Sequence, residues 1–267
     1  MDHNGEAGVR VAIAGKGGVG KTTISATLCR LAARSGRPVL AIDGDSNPNL
    51  AAALGVDAAT DHEPFLPASL VSYRARGPAL SEPVDAVIDA HSSVGGDGVR
   101  LIRMGAPQHA DEGCLCGAHA TVSAVLGELG AREELLTVLD LEASPEHLSR
   151  GTARHADVLL LVTEPYYRSL ETVRRLAALA HELGIPRIAM VANKVRSALD
   201  EEGLREFCDR HVLECVAVIP WSDAVIDADG RGSRVLDDAP DDPAVLAIAT
   251  LAERLLSPSL VAPEMPR

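Results

Sequence analysis

The sequence predicts an α/β fold, a single domain built on a mostly parallel β-sheet with helices flanking both faces. Three observations carry that prediction. Short runs rich in Val, Ile and Leu alternate along the chain with segments of helical apolar spacing. Those runs are continuously apolar, as expected of strands covered on both sides. The first of them breaks into a glycine-rich loop that feeds directly into a helix.

Element by element, Val9–Ala14 is the first strand, and Thr22–Ala33 is the helix after the loop, with Ile24, Leu28 and Leu31 on one face. Gly36 ends that helix, and Pro38–Ile42 forms a second strand that stops at Asp43-Gly44-Asp45. Strand, helix, strand implies a parallel pair with a right-handed crossover. Further strands are expected at Val84–Ala90, Val99–Met104, Leu135–Leu141, Asp157–Thr163, Arg187–Asn193 and Cys215–Ile219. Helices are expected at Pro48–Leu54, Ala118–Leu129, Ser169–Leu183, Glu201–Arg210 and Asp242–Leu256. The domain then spans residues 1–256, with an irregular Pro- and Ala-rich insertion at about 57–83 and a cysteine-bearing loop at about 109–118. Residues 257–267, with Pro258, Pro263 and Pro266, read as a loosely ordered tail.

Composition narrows the function classes. The 267 residues are 46% hydrophobic and 24% charged, ordinary for a globular protein, and carry a formal net charge of −13. That field repels phosphate backbones and anionic lipid, so neither nucleic acid nor membrane is an expected partner. No apolar run is long enough to span a bilayer, and the acidic start lacks the pattern of a signal peptide, so a cytoplasmic location is expected. Five cysteines are too few for a disulfide framework; in a reducing compartment the close pair Cys114 and Cys116 reads as metal ligands or redox groups. Cys29, Cys208 and Cys215 read as core residues.

Only three of the 25 basic residues are lysines: Lys16, Lys21 and Lys194. A compact ammonium is not interchangeable with a guanidinium fork where a tight backbone cradle must be entered. Two of the three lie in Gly15-Lys16-Gly17-Gly18-Val19-Gly20-Lys21-Thr22, which fits the phosphate-binding pattern G-x-x-x-x-G-K-[ST] between a strand and a helix. The glycines let consecutive N–H groups turn inward around an anion, and the helix N-terminus adds its unpaired donors. The fold is therefore that of a P-loop NTPase. Lys21 is placed to hold the β and γ phosphates, the Thr22 hydroxyl to ligate Mg²⁺, and Thr23 to complete the loop.

Two carboxylates should complete a metal-assisted hydrolytic site. Asp43 and Asp45 follow the second strand and Asp140 ends another, where ligands of a parallel sheet gather. Asp43 and Asp140 read as holding Mg²⁺, although either aspartate of the first pair could equally cap the helix Pro48–Leu54. Asn193-Lys194-Val195-Arg196 resembles the guanine-reading N-K-x-D motif, yet Arg196 stands where its carboxylate would. Guanine would leave its N1 and N2 hydrogens unpaired, so ATP is expected, with Asn193 and Lys194 near the base. Asn193 could also be a plain strand-end turn residue.

Lys16, within Gly15-Lys16-Gly17-Gly18-Val19-Gly20-Lys21-Thr22-Thr23, resembles the deviant Walker A of the dimeric ATPases that include nitrogenase iron protein, the arsenite-pump ATPase, and the septum-site and plasmid-partition ATPases. The resemblance covers about Val9 to Ala228. It implies a homodimer closed by ATP and reopened by hydrolysis, Lys16 reaching the partner's nucleotide, and Asp45 orienting the attacking water.

Within Glu112-Gly113-Cys114-Leu115-Cys116-Gly117, two thiols one residue apart can present two soft ligands on a flexible loop. Two such loops meeting on a twofold axis would form a four-thiolate cage for Ni²⁺, Zn²⁺ or an iron–sulfur cluster. His109 and His119 flank the loop and read as surface histidines that could assist. Gly113-Cys114-Leu115-Cys116, Asp45-Ser46-Asn47-Pro48-Asn49-Leu50 and Asp140-Leu141-Glu142-Ala143 together resemble the nickel-insertion accessory ATPases of carbon monoxide dehydrogenase. That resemblance implies a metallochaperone that loads nickel into a client metalloenzyme. One departure is Ser144-Pro145, stiffer than the glycine usual there, which bears on coupling between hydrolysis and metal release. The alternatives are an iron–sulfur reductase like nitrogenase iron protein, or a spatial-positioning ATPase acting on DNA or membrane. A close C-x-C pair speaks against the first, and Asp242–Leu256, with Arg254 as its single cation, against the second.

Overall fold

The computed structural model describes residues 8–57, 65–74, 77–105, 115–130, 132 and 134–257. Cys114, His109 and the tail beyond Ser257 lie outside them. In chain order the elements are β1 (Val9–Gly15), α1 (Lys21–Arg34), β2 (Val39–Gly44), α2 (Leu50–Leu54), β3 (Phe65–Leu66), β4 (Val71–Arg74), β5 (Gly77–Leu80), α3 (Val84–His91), β6 (Ser93–Val94), β7 (Arg100–Met104) and α4 (Cys116–Leu129). They continue with β8 (Leu136–Leu141), α5 (Glu146–Ser149), β9 (Val158–Thr163), α6 (Tyr167–Leu183), β10 (Arg187–Val195), α7 (Ala198–His211), β11 (Glu214–Pro220), α8 (Asp223–Arg231), α9 (Val235–Asp238) and α10 (Pro243–Leu256).

The main sheet runs β11-β10-β9-β1-β8-β2-β7-β3, with β6 antiparallel on β7. Every other pairing in it is parallel. Strand residues divide their side chains between the two faces. Val11, Ile13, Val138 and Leu160 join Ile24 and Leu28 of α1 and Ile248 and Leu251 of α10. Ala12, Ala14, Leu139 and Leu161 join Val122 and Val125 of α4 and Val173 and Leu176 of α6. Burial on both faces is why the strands read as unbroken apolar runs. It also sets β1 centrally between β8 and β9, so that loops leaving β1, β2 and β8 open into one crevice at their carboxyl ends.

Two expectations are corrected. Val84–Ala90 is not a strand but the helix α3, which buries Val84, Val87 and Ile88. That spacing is helical, and Pro83 and Asp85 at its start suit a helix N-terminus. The stretch read as irregular contains, among its described residues, β3, a short 3-10 turn at Ala68–Leu70 and the β4–β5 hairpin. α10 buries Ile248, Leu251 and Leu255 against the sheet and Val245 against α8 and α9, consistent with packing on the domain. Among the described residues no helix is long and apolar enough to cross a membrane.

Candidate nucleotide site

The glycine loop between β1 and α1 is held by contacts that no side chain would permit. A Cβ on Gly15 would lie 2.3 Å from the Val162 carbonyl oxygen of β9. One on Gly20 would lie 2.5 Å from Asn193 Nδ2, and Gly20 takes φ 93° as it enters α1. Gly17 and Gly18 are exposed at the tip, while Val19 is fully buried and anchors the loop in the core. The Lys21 ammonium donates to the Lys16 carbonyl at 3.3 Å, folding back over the loop it serves. Lys21 is only 8% exposed, and burial lowers its pKa while Asp140, Asp45 and Glu142 oppose the shift.

Asn193 and Lys194, at the end of β10, brace this cradle. Asn193 Nδ2 donates to the Val19 carbonyl at 2.7 Å, and Lys194 Nζ donates to the Gly18 carbonyl at 2.6 Å and pairs with Glu164 at 3.0 Å. Lys194 adopts φ 58°, a left-handed conformation rare for a side chain of its size, held here by that pair of contacts. Both residues border the cavity, but their hydrogens go to the loop.

The cavity, about 360 Å³, runs from Gly17–Thr23 past Asp45 and Asn193 to Pro220, Trp221 and Ile226. Trp221 is the chain's one tryptophan and the sequence reading missed it. Arg196, standing in the place of the guanine-reading carboxylate, lays its guanidinium over the Trp221 ring at 3.6 Å. Trp221 and Pro220 give the far end a flat apolar wall, suited to a purine. Its only advance signal was a rare residue just past the last strand.

Asp140 is buried at the end of β8, accepts from Ser25 Oγ at 3.1 Å and is hydrogen-bonded by the Thr22 hydroxyl. Burial pushes its pKa up to about 7, with those two hydroxyls opposing and Asp43 reinforcing the rise. A hydroxyl and a buried carboxylate whose charge calls for a cation are hard oxygen donors that fit Mg²⁺. Asp43 lies opposite Asp140 across β2 and β8 and is engaged by backbone donors. Its Oδ1 accepts from the Asp45 N–H at 3.1 Å and its Oδ2 from the Leu50 N–H at 2.8 Å. Its carboxylate therefore ties down the start of α2, the capping alternative, because the turn after β2 leaves those N–H groups without other partners. Asp45 is half-buried on the cavity wall, and its Oδ1 accepts from the Asn47 N–H at 2.8 Å.

Lys16 points elsewhere. Its ammonium lies 5.8 Å from the centroid of the Tyr166 ring, and Tyr166 is 39% exposed. Of the cysteine pair, Cys116 opens α4 and accepts a hydrogen bond from Arg150, while Cys114 falls outside the described residues. Among the described residues no group of three or more His, Cys, Asp and Glu is assembled to hold a metal. His119, read as a surface residue, is 5% exposed and packs edge-on against His147 with ring centroids 4.6 Å apart. Burial lowers the pKa of each to about 4.

That pair has a measurable cost in acid. A histidine whose folded pKa is depressed stabilises the fold fully above its unfolded pKa, and the stability is lost as pH falls from 6.5 toward 4. Between pH 6.5 and 5 each histidine should remove about 2 kcal/mol. Urea unfolding of the metal-free protein at those two pH values checks this; His119→Gln and His147→Gln should each flatten the dependence, and equal slopes in all three proteins would refute it.

Comparison with known proteins agrees with this geometry. Residues 11–235 match the CbiA family, the CobQ/CobB/MinD/ParA nucleotide binding domain. The carbon monoxide dehydrogenase accessory protein CooC of Rhodospirillum rubrum is 35% identical over 260 residues, covering 92% of this chain and 97% of that one. The septum site-determining protein MinD of Pyrococcus horikoshii, solved with Mg-ADP, superposes with a TM-score of 0.70 at 20% identity, covering 93% of this chain and 96% of that one. Cobyrinic acid a,c-diamide synthase of Mycobacterium smegmatis, solved with ADP and magnesium, gives a TM-score of 0.64 at 18% identity, over 97% and 100% of the two chains.

Proposed function

The chain belongs to the CbiA family of P-loop ATPases, and from that membership we propose that it is a homodimeric metallochaperone, coupling Mg²⁺-dependent ATP hydrolysis to delivery of nickel to a client metalloenzyme. The observation that carries the reading is the position of Leu115. Leu115, between the two cysteines, lines one cavity with Ser46 and Glu142, from the loops that also bear Asp45 and Asp140. Once reduced, a thiolate pair flanking Leu115 would respond to the occupancy of the nucleotide site. The similarity to a carbon monoxide dehydrogenase accessory protein supports that dehydrogenase as the client, and the cysteines favour Ni²⁺ or Zn²⁺.

In this reading the loop N–H groups and Lys21 would hold the phosphates, and Thr22 and Asp140 would hold Mg²⁺, which would neutralise phosphate charge. Asp45 orients the attacking water. Lys16 swings from Tyr166 to the partner's nucleotide, so the closed dimer is the ATP-bound state. Closure brings two C-x-C pairs together on the twofold axis, and reopening releases the metal, since only a difference in affinity between states drives transfer.

Metal stoichiometry tests the reading. Reduced, metal-free protein titrated with Ni²⁺ or Zn²⁺ should bind one tightly held ion per two chains with thiolate coordination. Cys114→Ser/Cys116→Ser should lose that thiolate-bound ion. An unchanged stoichiometry and thiolate signature in the variant, or no binding by the wild type, would leave an ATPase without metal cargo.

A further inference from the structure

Behind the C-x-C loop lies a second cavity, about 260 Å³, outside the nucleotide site. It is walled by Ser46 after β2, Glu142 after β8, His119 of α4 and His147 of α5. His147 is 1% exposed, and among the described residues neither ring nitrogen has a hydrogen-bond partner. A buried imidazole left unpaired on both sides is costly unless something else fills the place. Its Nε2 lies 3.6 Å from Glu142 Oε2, too far for a good hydrogen bond, and the same oxygen accepts from Ser46 Oγ at 3.1 Å. His119 Nδ1 is 3.1 Å from the buried Thr152 hydroxyl, a contact that fixes its ring beside His147. Arg150 borders the cavity and also reaches the sulfur of Cys116, which is disulfide-bonded in this structure, so the cavity adjoins the start of α4.

We propose that this cavity is a transit site for a divalent transition-metal ion, with His147 and Glu142 as its protein ligands and His119 packed to orient His147. Imidazole with carboxylate is a borderline donor set that takes Ni²⁺ or Zn²⁺. Two protein donors, with water filling the remaining positions, bind more weakly and exchange faster than four thiolates, which suits a cargo passing through. Ser46 competes for the ligand oxygen of Glu142 and adjoins Asp45, so a movement of the loop after β2 alters the site. The proposal deepens the metallochaperone reading and rests on it for the identity of the ion.

The experiment removes the thiolates first. Full-length Cys114→Ser/Cys116→Ser protein, dialysed against Ni²⁺ and separately Zn²⁺, should retain one ion per chain, with imidazole coordination in its X-ray absorption spectrum. Adding His147→Gln should weaken that binding about 10- to 100-fold, and Glu142→Gln should weaken it in the same direction. ADP binding serves as the folding control, and if His147→Gln fails it, the Glu142→Gln result decides. No retained ion in the double cysteine variant, or an affinity unchanged by the folded substitutions, overturns the site. Loss of the shared thiolate ion in wild type, with His147-dependent binding intact, would instead overturn the C-x-C reading and leave this site standing.

Discussion

Lys21→Ala should abolish tight nucleotide binding while leaving the fold no less stable. In the proposed role the Lys21 ammonium leaves the Lys16 carbonyl for the phosphates, and charge-assisted hydrogen bonds of this kind are worth about 1.5–3 kcal/mol each. Losing contacts to two phosphates should cost about 3 kcal/mol or more, a drop in ATP affinity of roughly a hundredfold or greater. The stability half follows from burial. Lys21 has a lowered pKa because its charge is taken out of water, so its charged form is disfavoured in the fold and removing it relieves that penalty. The variant should unfold at the same or a higher urea concentration than the wild type. Titration calorimetry with ATP and urea unfolding on one preparation checks both halves. Retained ATP affinity would mean that the backbone cradle alone holds the phosphates.

The glycine loop was legible because its pattern is local: eight consecutive residues carry the turn, the Lys21 ammonium and the Thr22 hydroxyl. The strands were legible because burial on both faces leaves an unbroken apolar run. α3 was not, since Val84-Asp85-Ala86-Val87-Ile88 admits both the alternation of a strand and the spacing of a helix over so short a length. Asp43 was read as a metal ligand because it follows the second strand, at the carboxyl end of a parallel sheet where ligands gather. What the sequence did not show was the path of the following turn, which aims two backbone N–H groups at it. The cavity beside Leu115 drew on three separate stretches of chain, and no spacing in the sequence relates Ser46 and His119 to Glu142 and His147. Buried histidines in particular look like surface ones until the packing around them is known.

Lys16→Ala and Asp45→Ala should fail in opposite directions, which makes the pair a stronger test than either alone. Lys16 has no contact with its own chain's cavity beyond its backbone; its ammonium rests on a partly exposed tyrosine. Truncating it should leave ATP affinity of the monomer unchanged and remove ATP-induced dimerisation, seen as a single monomer boundary in sedimentation velocity with and without ATP. Lys16→Arg should not rescue it, because a planar fork does not follow an ammonium into a backbone cradle. Asp45 borders the cavity on the side of the glycine loop, so removing its carboxylate should spare binding and closure but slow hydrolysis about 100-fold or more. That variant should accumulate as an ATP-bound dimer. A Lys16→Ala protein that still dimerises with ATP would return the trans-acting role to another residue. An Asp45→Ala protein with normal turnover would place the orientation of water elsewhere in the crevice. If both behave as expected, closure and hydrolysis are separable steps. Metal transfer can then be assigned to one of them by following Ni²⁺ release from the Asp45→Ala dimer.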